Sequence, residues 1–140
     1  MSRKIYDIET KTKHVYLSLE WCKSYFGVSS TKRRKLKFKI SPRLRKNGSY
    51  KIYGIYCFYR NEMIIYVNNC DTIYDVVSTV IHEYTHYLQS RTRYKKYENS
   101  YYYSHNPYER QAKRNEDKYT KKCIYFIKKL TNNLRLGNLN

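Results

Sequence analysis

Ile81-His82-Glu83-Tyr84-Thr85-His86-Tyr87-Leu88-Gln89 is the stretch on which the reading of this 140-residue chain turns. His82 and His86 stand four positions apart, and on an α-helix such side chains lie one turn above each other on one face. Two imidazoles so placed reach a single Zn²⁺ at about 2.0–2.1 Å. Glu83 projects about 100° round the helix from His82, close enough to contact water at the metal without becoming a ligand. A carboxylate there can take a proton from water and later give it to a leaving amine, the role of a general base in peptide hydrolysis. The competing reading is a pair of ordinary core or surface histidines. It is the weaker one, because Val80, Ile81 and Leu88 mark the helix as buried and a buried imidazole pair needs partners.

Working outward, residues 72 to about 91 read as a helix with the apolar stripe Ile73, Val77, Val80, Tyr84 and Leu88, capped by Asp71 or Thr72. Upstream, residues 17–26 carry Leu17, Trp21 and Tyr25 at steps of four, with Ser18 as a cap and Gly27 as a stop. Lys35-Leu36-Lys37-Phe38-Lys39-Ile40 alternates cation and apolar side chain, as a half-buried strand does. Residues 50–59 and 63–67 are rich in Tyr and Ile, and the break Arg60-Asn61-Glu62 between them predicts an antiparallel hairpin. Downstream, a polar, tyrosine-rich connector spans residues 93–105. Asn106-Pro107 then opens a long helix with Ala112, Tyr119, Cys123, Phe126, Leu130 and Leu134 on its inner face. The expected order is α, β, β, β, α, α in a single domain over residues 1–140, a size that leaves no room for a second recognition domain.

A catalytic zinc takes three protein ligands and keeps a fourth position for water, so a third donor is required. His14 lies far upstream and His105 just before the last helix, and neither shows ligand spacing with the motif. Glu109 follows His82 by 27 residues and falls in the first turn of the last helix, where an antiparallel return brings it back to the metal. The same residue also fits a capping box, with Asn106 as N-cap and Glu109 at N3. Glu116, two turns further along that face, is the reserve ligand. It can equally serve as an outer acceptor that orients a liganding His, or as the partner of Lys113.

Twenty-nine Lys and Arg against 11 Asp and Glu give a formal charge of +18, enough to attract polyanions or simply to solvate the surface. Lys32-Arg33-Arg34-Lys35 with Lys37, Lys39, Arg43, Arg45 and Lys46 is the densest basic stretch, a candidate grip for nucleic acid. No run approaches the ~20 apolar residues of a bilayer span, and residues 1–9 lack the apolar core of a signal peptide. A cytoplasmic protein with no membrane partner is therefore expected. Cys22, Cys57, Cys70 and Cys123 form no C-x-x-C pair, which argues against a thiolate site and a disulfide framework.

The segment 81–89 followed by Asn106-Pro107-Tyr108-Glu109-Arg110-Gln111-Ala112 resembles the gluzincin metallopeptidases, whose hallmark is two His plus a downstream Glu. It is most similar to minimal phage- or bacterium-type zincin-like domains whose second helix carries Glu-x-x-Ala, as Glu109 to Ala112 does. The resemblance covers roughly residues 53–112. It implies an α+β zincin-like fold, a small antiparallel-containing sheet packed on the motif helix and a following long helix. It implies Zn²⁺ as cofactor, and a peptide or protein substrate held along the sheet edge by β-augmentation. Larger gluzincins close the cleft with a second lobe that supplies an imidazole or phenol to the oxyanion. With no such lobe here, His105, Tyr108 or one of Tyr101, Tyr102 and Tyr103 would take that part. Three functions follow: a peptidase, a nucleic-acid-associated peptidase, or a metal-binding interaction module without turnover. The last is disfavoured by Glu83, since a structural metal needs no base.

Overall fold

Asp7 begins the first helix of the computed structural model, α1 (Ile8–Phe26), by accepting the Thr10 N–H at 2.8 Å. Gly27 ends it at φ 80°, a backbone conformation that a residue without Cβ adopts freely. Five short strands follow: β1 (Lys37–Ser41), β2 (Lys46–Asn47), β3 (Tyr50–Lys51), β4 (Gly54–Cys57) and β5 (Glu62–Tyr66). The remaining helices are α2 (Ile73–Leu88), α3 (Arg91–Ser100) and α4 (Pro107–Gly137). The structure describes residues 6–29 and 35–137. Ser30, Lys32, Arg33 and Arg34 lie outside the described residues, as does the side chain of Leu134.

The class is α+β, with a mixed three-stranded sheet in the order β1-β5-β4 and a separate β2-β3 ribbon. β5 runs parallel to β1, pairing Met63 with Phe38, and antiparallel to β4, pairing Ile65 with Gly54. Central placement explains its composition: Met63 and Ile65 are fully buried. On β1 the alternation holds, since Lys37 and Lys39 are exposed while Phe38 and Ile40 pack on the core. β4 is an outer strand that borders α2. Gly54 permits that approach, because a Cβ there would stand 2.6 Å from Thr79 Cγ2.

α2 is the central element, enclosed by α1, α4 and the sheet. Val76, Val77, Val80, Ile81 and Tyr84 are all fully buried, so the helix presents apolar surface on more than one face. Thr72 caps it, in a capping box completed by Asp75. Trp21 stacks on Tyr25, and Phe26 meets Tyr119 edge-on at 5.2 Å, which seals the seam between α1 and α4. The Tyr84 hydroxyl donates to the Gly27 carbonyl at 2.6 Å and ties α2 to the end of α1.

Several expectations are corrected. α1 begins at Ile8, a full nine residues before position 17, because the Asp7 cap starts a turn that its charged, weakly periodic first half does not announce. Ser18 is no cap: it is buried in mid-helix and its hydroxyl donates to the His14 carbonyl. The strand expected over 50–59 is broken in two, with β3 paired to β2 and only β4 in the main sheet. The connector contains α3, a helix capped by Ser90 and without a buried side chain. On α4, Ile127 rather than Phe126 faces the core, the latter being 39% exposed. The four cysteines are free thiols, three of them buried, and no helix among the described residues is long and apolar enough to cross a membrane.

Candidate metal centre

The buried middle of α2 carries His82 and His86 on the side facing α4, and their rings lie 5.0 Å apart. Ala112, with no exposed surface, keeps α4 close to α2. Asn115 donates to the Thr85 hydroxyl at 3.1 Å, and Gln89 donates to the Tyr108 carbonyl and the Gln111 side chain. These polar ties fix the rotation of α4, and Glu109 consequently turns towards both imidazoles. Its Oε2 lies 3.3 Å from His82 Nε2 and its Oε1 3.2 Å from His86 Nε2.

His82, His86 and Glu109 thus offer three donor atoms within 4.8 Å of one another, the group among the described residues that can hold a metal ion. The fit is chemical as well as geometric. Tetrahedral bonds of about 2.0–2.1 Å would place neighbouring donors roughly 3.3 Å apart, the scale of the two Glu109 separations, each made by a different carboxylate oxygen. The far nitrogens are occupied. His86 Nδ1 lies 2.7 Å from Gln89 Oε1, and His82 Nδ1 lies 3.3 Å from Glu116 Oε1. Because Gln89 Nε2 donates to a backbone carbonyl, its Oε1 is the atom facing His86, so Nδ1 donates there and Nε2 is the nitrogen directed at Glu109.

The two readings of Glu109 are separated here. Asn106 does cap α4, accepting from the Tyr108 and Glu109 amides at 2.9 and 3.4 Å. The reciprocal half of a capping box is missing, since the Asn106 N–H goes to the Tyr103 carbonyl and the Glu109 carboxylate goes to the histidines. Glu116 combines its two outer readings: it faces His82 Nδ1 and accepts from Lys113 at 2.6 Å, and it stands outside the three-residue donor group.

Charge follows from these contacts. Burial would lower the His82 imidazolium, but the bonds to Glu109 and Glu116 prevail and raise its pKa to about 10 in the metal-free protein. Burial likewise opposes ionisation of Glu109, yet its bonds to His82 and His86 hold it well below the ordinary carboxylate value. Glu116 is also lowered, burial being outweighed by His82 and Lys113. Glu83 behaves differently: burial raises its carboxyl, His82 and His86 resist, and Glu109 and Glu116 reinforce the rise.

Two clefts meet at His82. One, of about 250 Å³, runs from Lys51 and Gly54 past Thr79 to Glu83; the other, of about 380 Å³, lies against Arg110, Lys113 and Arg114. Tyr103 lines both, with most of its ring open to solvent. His105 is elsewhere, beside Ser104 and in a separate hollow with Tyr101 and Tyr102. The Tyr108 hydroxyl accepts from the Ser90 N–H at 3.4 Å and its ring packs on Tyr97, so it too is turned from the clefts. His14, on α1, pairs with the hydroxyl of Tyr6, which precedes the helix.

Two neighbours of the centre are absent from the motif-based reading. Gln89 follows His86 by three positions, a spacing that places it on the same helical edge and is the signal by which it is found. Tyr94 donates to Glu109 Oε1 at 3.3 Å and stacks on Phe58 at 4.0 Å, forming a wall beside His86. Nothing in the sequence of α3 marks it. No protein-family model, curated protein or solved structure matches the chain.

Proposed function

We propose that this chain is a zinc-dependent peptidase of minimal zincin-like architecture. The observation that carries the reading is the convergence of His82 Nε2, His86 Nε2 and Glu109 on one point beside the buried Glu83. Two imidazoles and a carboxylate form a donor set suited to zinc, and three protein ligands are the number found at catalytic rather than structural sites. When bound, zinc supplies Lewis-acid activation, lowering the pKa of water towards ~7 and polarising a carbonyl.

The chain's own residues supply the rest. Glu83 takes the proton of the attacking water and delivers it to the departing amine, and the raised pKa of its carboxyl brings it nearer the range in which a general base works at neutral pH. Glu116 and Gln89 hold the imidazoles in orientation through Nδ1. β4, an outer strand beside the cleft, accepts the extended substrate by backbone pairing. Tyr103, the phenol that lines both clefts, donates to the oxygen that gains charge at the scissile carbonyl.

Replacing Glu83 by Gln tests the proposal, because the amide keeps the shape of the side chain and cannot accept the proton. Zinc content and melting temperature should match the wild type, while cleavage of a mixture of unstructured peptides falls on the order of a hundredfold or more. Equal cleavage by both proteins would remove Glu83 from the mechanism and the peptidase reading with it.

A further inference from the structure

The wall of the larger cleft is cationic, although the cleft starts at an acidic ligand. Arg110 and Arg114 stand one turn apart on α4, both exposed, and no acidic partner engages either guanidinium among the described residues. Lys113 between them is different, being bound by Glu116 at 2.6 Å and Asp117 at 3.5 Å. Glu109 is the sole carboxylate among the residues lining this cleft, and its oxygens are directed at the histidines. Two guanidiniums therefore face the cleft with unused donors within a few side chains of the metal ligands.

Free guanidiniums select planar anions, which they bind through paired N–H donors. We propose that Arg110 and Arg114 form the substrate-recognition subsite of this centre, and that the substrate is an acidic peptide whose Asp or Glu side chains occupy the cleft beside the scissile bond. The inference rests on the peptidase reading and adds the chemical class of substrate to it. An acidic peptide is favoured over a nucleic acid by position. The exposed lysines of β1 lie on the edge strand opposite β4, across β5 from the cleft, so a polyanion gripped there is not led to the metal ligands. Two of that stretch's side chains are also engaged, Lys39 with Glu62 at 3.8 Å and Arg45 with the Tyr66 hydroxyl at 2.9 Å.

Binding separates this proposal from catalysis. Fluorescein-labelled hexapeptides carrying two central Glu, or two central Gln, are titrated by fluorescence anisotropy into the full chain bearing Glu83→Gln, with and without zinc. The Glu peptide should bind about tenfold or more tightly than the Gln peptide, as expected when charged contacts are lost one-sidedly. Arg110→Gln combined with Arg114→Gln should erase that preference while leaving the melting temperature and zinc content in place. Equal affinity for the two peptides, or a preference that survives the double substitution, overturns the proposal. So does displacement of the Glu peptide by a short oligothymidylate at lower concentration than unlabelled peptide, which assigns the cleft to nucleic acid. Cleavage of both peptides by the wild type without preference sinks the subsite and spares the peptidase. Arginine-dependent binding without any cleavage does the reverse.

Discussion

Gln89 Oε1 meets His86 Nδ1 at 2.7 Å, and this contact, three residues along the helix, decides which imidazole nitrogen is left for a metal. The Gln89 amide is itself immobilised by the Tyr108 carbonyl and Gln111. Gln89→Ala removes the acceptor while leaving all three donors present. Metal affinity should weaken roughly 10- to 100-fold, the usual effect of losing an outer-shell partner. Isothermal titration with zinc reads it; unchanged affinity would mean that packing against Phe58 and Tyr94 alone orients the ring.

Glu109 and Glu116 give a graded comparison. Because the Glu109 side chain takes no part in capping, Glu109→Gln leaves the Asn106 cap intact, and the cap's ~1 kcal/mol is not at stake. The variant should fold and surrender zinc readily to a chelator. Glu116→Gln retains an oxygen that can face His82 Nδ1, so its metal loss should be smaller. Chelator competition on both variants checks the order. A reversed order would make Glu116 the ligand.

How much of this was legible follows from the range of each signal. The motif helix, the Asn106-Pro107 start of α4 and the antiparallel pairing of β4 with β5 are local patterns that the sequence carries, although the strand before the turn is shorter than the 50–59 run suggests. The parallel pairing of β1 with β5 is not local: alternation of Lys with Phe38 and Ile40 fixes a half-buried strand but names no partner. The division of labour between Glu109 and Glu116 depends on how α4 is rotated against α2. That rotation is set by contacts such as Asn115 to Thr85, which no periodicity predicts. α3 lacks any apolar stripe, so Tyr94 reached the centre unannounced. Lys32, Arg33 and Arg34 of the basic stretch lie outside the described residues.

Gly54 couples the sheet to the centre. A methyl group there would meet Thr79 Cγ2 at 2.6 Å and the Ile64 carbonyl at 3.2 Å. Gly54→Ala should therefore push β4 from α2 and destabilise by about 1–3 kcal/mol, the scale of overpacking. Thermal unfolding measures it. If β4 also carries the substrate, KM should rise more than kcat falls; an unaltered melting temperature would show that Thr79 simply rotates away.

Protons and metal compete for His82. In the metal-free protein its pKa is raised from 6.5 to about 10, so the stabilisation from its pairs with Glu109 and Glu116 is complete below about pH 6.5 and disappears as pH rises through the folded value. The lowered pKa values of Glu109 and Glu116 act in the opposite sense, contributing above their unfolded value of 4.5 and failing as acid protonates the folded carboxylates. The metal-free protein should accordingly be steadiest between these limits and lose stability in alkali. Metal binding must expel the His82 proton, so apparent affinity should increase about tenfold per unit between about pH 7 and 9, with proton release detectable in weak buffer. The rise in melting temperature on adding zinc should grow over the same interval. Affinity that is flat with pH would mean that His82 binds metal without exchanging a proton, and would place the ion away from its Nε2.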